Sequence, residues 1–193
     1  MIDQLKNAIE STVKQFRNDP KSFLSERDIQ AVLFVELRNA TRDLRYTYDA
    51  EGANHRFGFR EPFSIHPVTT EYHVPVGIFD VAVLSETPDS ALDIWLQPCR
   101  VGIEIKLWQP CEREPPYYKD FEKLRRYQAD LQAKGRAFMG IAMLFVHPCE
   151  KRKPTAVTEE KSGDAYPENG VALHLVTQEG HWWKQDSGPS LTE

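Results

Sequence analysis

Ile2, Leu5, Ile9, Val13 and Phe16 recur at intervals of three and four residues, the spacing that places apolar side chains on one face of a helix. This predicts an amphipathic helix from Ile2 to Phe16, stopped by Asn18-Asp19-Pro20. A second helix is expected to begin at Ser25, with Asp28 three residues later completing a capping box in which Asp replaces the usual Glu or Gln. Ile29, Val32, Leu33, Phe34, Val35 and Leu37 make that helix apolar around much of its circumference, which suits a central position.

After Ala40 the pattern shifts to turns and alternating strands. Phe57, Phe59, Glu61 and Phe63 alternate with Gly58, Arg60, Pro62 and Ser64 and read as a strand with an aromatic face, followed by a loop from Pro67 to Glu71. Val74 to Leu84 reads as its partner strand, and Leu92, Ile94 and Leu96 as a short extension. Val101 to Leu107 is a further strand. Tyr118 to Lys134 carries Phe121, Leu124, Tyr127, Gln128 and Leu131 on one helical side, and Gly135 ends it. Phe138 to Val146, apolar and short, reads as a strand buried on both faces. The polar stretch from Pro148 to Asn169 reads as a mobile loop or lid, and Val171–Val176 with Trp182-Trp183 as a closing strand pair, one tryptophan on each face. Residues 187–193 are expected to fray. The picture is one α/β domain over residues 1–193: a helical extension (1–24), a core (25–147), a polar loop (148–170) and C-terminal strands (171–184).

Charged residues interrupt this apolar pattern in two strands. Successive side chains of a strand point to opposite faces, so Glu104 and Lys106 share one face while Ile103, Ile105 and Leu107 take the other. Burying ions is costly unless they are paired, and an ion pair is the plainest account of these two. Asp80 breaks the run of the preceding strand without a local reason. Glu26 falls in the first turn of the second helix, where the helix dipole alone would favour a carboxylate.

With 193 residues, 40% of them hydrophobic, the chain can bury a core without metals or disulfides. Its net charge of −5 gives no bulk argument for nucleic acid, so such a partner must meet a local basic patch. No leader pattern and no membrane-length apolar run is read, and a cytoplasmic protein away from membranes is expected. Cys99, Cys111 and Cys149 form no CxxC pair and read as structural thiols in a reducing compartment, in preference to zinc ligands with His147.

A helix carboxylate (Glu26), an Asp on one strand (Asp80), Glu104-Ile105-Lys106 on the next, then a helix and a strand: this order resembles the PD-(D/E)XK nuclease superfamily, across about Ser25 to Val146. Phe79 stands where proline is usual. The resemblance implies a restriction-endonuclease-like αβββαβ core with a mixed central sheet flanked by helices. It implies a nuclease that hydrolyses phosphodiester bonds with Mg²⁺ or Mn²⁺, with DNA as the expected substrate. RNA cleavage and a non-catalytic binding or assembly role are the alternatives. In that scheme Asp80, Glu104 and the carbonyl of Ile105 are metal ligands, and Glu26 acts through water or on a second ion. Lys106 stands beside the attacking water. Lys119, Lys123, Arg126 and Gln128 on the following helix are candidate nucleic-acid contacts, Gln128 and Tyr127 lying where some branches carry an additional Gln or Tyr. A homodimer is compatible with the scheme.

Overall fold

The computed structural model describes residues 1–48, 63–86, 97–108, 118–148 and 170–185. Helix α1 (Ile2–Asn18) buries the predicted stripe Leu5, Ile9, Val13 and Phe16, and a short 3-10 turn at Pro20–Ser22 leads into helix α2 (Glu26–Ala40). The start of α2 is locked as the sequence indicates. The Asp28 carboxylate accepts the backbone N–H groups of Leu24 and Ser25 at 2.8 Å each, and the Ser25 hydroxyl at 3.0 Å. These bonds hold the Asp28 carboxyl below its usual range.

Strands β1 (Tyr46–Tyr48) and β2 (Phe63–Ile65) form a small antiparallel sheet. The main sheet has six strands in sequence order: β3 (Val68–Val74), β4 (Gly77–Leu84), β5 (Cys99–Trp108), β6 (Met139–Val146), β7 (Gly170–Val176) and β8 (His181–Gln185). The first three make an antiparallel meander, β5–β6–β7 are parallel, and β8 returns antiparallel. Parallel neighbours need a crossover, and helix α3 (Tyr118–Ala133) lies between β5 and β6 in the chain. The sheet is therefore mixed and flanked by helices, as expected of an α/β domain. One face carries α1 and α2 over Val81, Ile103, Ile105 and Phe145; the other carries α3 over Phe79, Leu144 and Leu173. β6 is buried along its entire length. Trp183 and Trp182 divide between the two cores.

Two strand boundaries differ from the pattern reading. Val68–Val74, expected to be mostly loop, is a strand. Its buried residues Val68, Tyr72 and Val74 are separated by polar Thr69, Thr70, Glu71 and His73, which hides the period. The expected strand from Val74 to Leu84 is instead two strands joined by a tight turn, for which Gly77 adopts φ +142°, a backbone region open chiefly to glycine. Of the strand expected around Phe57–Phe63, Phe63 falls in β2; residues 57–62, the 92–96 extension, Cys111, Cys149, the loop after Pro148 up to Asn169, and residues 187–193 lie outside the described residues. Cys99 is buried, and burial pushes its thiol up to about 12. Among the described residues, no helix is long and apolar enough to cross a membrane.

Gly102 is closely overlain by two aromatic rings. A Cβ there would stand 2.8 Å from Phe79 Cε2 and 3.0 Å from the Phe138 ring. Gly102→Ala is expected to destabilise the fold by about 1–3 kcal/mol, as overpacking does, measured by denaturant unfolding. A second expectation concerns acid. His174 is buried, stacked on Trp183 at 3.8 Å, with Nε2 3.0 Å from His181 Nδ1. Burial, aided by His181, holds its pKa well below 6.5. A depressed histidine stabilises the fold above its unfolded pKa and loses that contribution as pH falls. The stability of the wild type relative to His174→Leu should therefore decrease from about pH 7 to about pH 5, read as the difference between their melting temperatures.

Candidate functional site

β5 is buried except at Arg100 and Lys106, and its register with β4 runs from Leu84 and Cys99 to Val81 and Ile103. Beyond that point the Asp80 side chain replaces the backbone partner. Its Oδ2 accepts the N–H of Ile105 at 2.7 Å, so a carboxylate terminates the ladder where the strands part.

Helix α2 supplies two groups one turn apart. Glu26 Oε2 lies 3.2 Å from the Lys106 ammonium, and Oε1 accepts the N–H of Leu107 at 3.4 Å. Gln30 donates to the carbonyl of Asp80 at 2.7 Å and to Glu71 Oε1 at 2.9 Å. Glu71, opposite Asp80, has φ +51°, a left-handed conformation that is strained for a side chain with a Cβ. The residues on either side pair normally, Thr70 with Val81 and Tyr72 with Phe79. The left-handed residue thus sits at a gap in the ladder, and Gln30 serves the Asp80 carbonyl there.

Helix α3 contributes Asp120 and Lys123. Asp120 lies 3.5 Å from both Lys106 and Lys123. The Lys123 ammonium stands 2.8 Å from Glu104 Oε1 and donates to the carbonyl of Ile78 at 2.7 Å. The expected Glu104–Lys106 pair is therefore not what forms. Each partners a different residue, and the chain of charges runs Glu26, Lys106, Asp120, Lys123, Glu104.

Burial dominates the electrostatics. It pushes the Glu104 carboxyl up to about 8 despite the adjacent Lys123, with the Asp80 charge adding to the rise. Asp80 is also raised by burial, against the opposing pull of the Ile105 N–H and the two lysines. Burial alone would depress Lys106, but Asp120, Glu26 and Asp80 outweigh it and hold the ammonium above its usual value.

The structure brings Glu26, Asp80, Glu104, Ile105 and Lys106 to one end of β5. Lys123 belongs with them rather than with the exposed basic face, a correction to the pattern reading. Its neighbours at i−3 and i+4, Asp120 and Tyr127, face the sheet, which a helical-wheel projection through those residues would have indicated. Lys119 and Arg126 are exposed, Arg125 pairs with Glu122, and Gln128 is half-buried beside Gly170. Tyr127 packs against Phe79 and Phe138 and accepts the Cys99 N–H. Asp120, Gln30 and Glu71 were not foreseen. Gln30 lies four residues after Glu26 and thus on the same helix face, the available clue.

The donor set consists of carboxylate and carbonyl oxygens, hard ligands suited to Mg²⁺. Glu104 Oε1 is buried and is met by a cation, the Lys123 ammonium at 2.8 Å, so the oxygen is placed where positive charge is favoured. As the side chains stand, ammonium groups meet the carboxylates, and among the described residues no three His, Cys, Asp or Glu side chains are gathered as a metal cage. Comparison with family models, curated proteins and solved structures finds no match.

A buried carboxyl with a raised pKa stabilises the fold below its unfolded pKa of 4.5 and loses that contribution as pH rises through about 8. In chelator-containing buffer the melting temperature of the wild type relative to Glu104→Gln, which is neutral at every pH, should therefore fall as pH rises across this window; a difference that does not change with pH would show that Glu104 makes no such contribution.

Proposed function

We propose that the chain is a metal-dependent nuclease acting on DNA, with the restriction-endonuclease-like core of the PD-(D/E)XK superfamily. The observation that carries this reading is the meeting of Asp80, Glu104 and Lys106 with Glu26 where β4 and β5 part. The succession of α2, an antiparallel three-strand meander, α3 and a parallel strand supports it further.

Asp80, Glu104 and the Ile105 carbonyl would hold Mg²⁺, with Glu26 on a second ion or acting through water. The ion, when bound, would neutralise phosphate charge and acidify a water molecule. The remaining roles belong to the chain itself. Lys106 is kept cationic by Asp120 and Glu26, so it can stabilise charge developing on a phosphate and orient the attacking water. Gln30 and the Ile105 N–H fix the Asp80 backbone and carboxylate respectively, so that Asp80 Oδ1 would be the oxygen offered to a ligand. Exposed Lys119 and Arg126 offer phosphate contacts at the rim.

A second reading, a binding or assembly protein on the same fold, draws on the fact that two lysines already compensate these carboxylates. Metal response separates the two. Mg²⁺ or Mn²⁺ should raise the melting temperature of the wild type, and Asp80→Ala should abolish the rise. Cleavage of plasmid or single-stranded DNA should require the metal and fall at least about 100-fold in folded Lys106→Ala, the scale of losing a charge-stabilising donor. A metal-independent melting temperature together with absent cleavage would favour the binding protein.

A further inference from the structure

We propose that the Lys123 ammonium is a tethered counter-ion that holds the place of the divalent cation at Glu104 and leaves it when the metal enters, becoming a phosphate contact; this rests on the metal-dependent reading above. Lys123 Nζ lies 2.8 Å from Glu104 Oε1, within the range in which a cation must compete for that oxygen. Glu104 is 2% exposed, and the Lys123 ammonium supplies the charge compensation at its Oε1, a role that an arriving cation would take over. The other partners of Lys123 are the Ile78 carbonyl and Asp120, and Asp120 keeps Lys106 as a partner after Lys123 departs. The carbonyl that Lys123 gives up belongs to Ile78, an exposed residue at which water can replace it.

The destination is set by the helix. Lys119 and Arg126 lie four residues before and three residues after Lys123 on α3, the spacings of neighbouring side chains, and both are exposed. A released Lys123 would join them in a row of three cations beside the site. Metal loading and the grip on a polyanion would then be coupled through one side chain.

Lysine acylation of the wild type, read by mass spectrometry, tests this without a substitution. Saturating Mg²⁺ should raise the labelling rate of Lys123 severalfold over that in chelator, with Lys134 as an unmoved reference. In calorimetric titration with Mn²⁺, Lys123→Met should bind about tenfold or more tightly than wild type, because no ammonium need be displaced. If the wild type binds Mn²⁺ while Lys123 labelling stays constant or falls, or if Lys123→Met binds no more tightly, the exchange is wrong and the metal site stands. If neither protein binds Mn²⁺, the metal reading fails and the exchange fails with it.

Discussion

Glu104 is a carboxylate placed on a strand that is covered on both faces, and the architecture around it is arranged to make that placement tolerable. Burial pushes its carboxyl up to about 8, and any charge that favours its ionised form has to be brought to it, since the surrounding apolar side chains of β5 and β6 offer none. The compensation comes from Lys123 of α3, and Lys123 in turn requires Asp120, which also draws in Lys106 and, through it, Glu26 of α2. Removing Lys123 would leave Glu104 without compensation, whereas Lys106 and Asp120 each have a second partner. The alternation of sign along the series explains why the site holds together from two helices on opposite faces of the sheet.

The divergence of β4 from β5 creates the space for this. While the ladder lasts, backbone groups satisfy one another; past Val81 and Ile103 the Asp80 carboxylate takes over the next N–H. On the other side of Asp80, the left-handed Glu71 leaves a gap in the ladder to β3, which Gln30 fills from α2. A polar side chain in mid-strand is thus held by its main chain and its carboxylate separately. Such control of both ends is what a residue needs if it is to present one free oxygen in a fixed direction.

Much of this was legible in the chain. The periodicity of α1 and α3, the Ser25–Asp28 cap and the apolar run of β6 each have a strong local cause, and each element is where its pattern predicts. The strand alternation at Glu104 and Lys106 placed them on one face correctly. What the pattern could not give was partner choice. Adjacent charges at i and i+2 suggest a pair, whereas in space Lys106 meets Glu26, 80 residues away, and Glu104 meets Lys123. β3 is obscured because four of its seven residues are polar, and Thr69, Thr70 and Glu71 in succession dilute its alternation. Charge networks are decided by tertiary geometry, and periodicity carries no information about them.

The spread of the network along the chain also bears on the order in which the molecule forms. Its contacts span separations of 25 residues for Asp80 with Ile105, 45 for Lys123 with Ile78, and 80 for Lys106 with Glu26. Closing loops of that size is entropically unfavourable until neighbouring apolar contacts reward it. The meander and α3 are joined by comparably short separations, Glu104 and Lys123 being 19 residues apart, whereas α2 must dock from farther off. A chain in which either helix is undocked leaves the site's ions hydrated and carries no complete site.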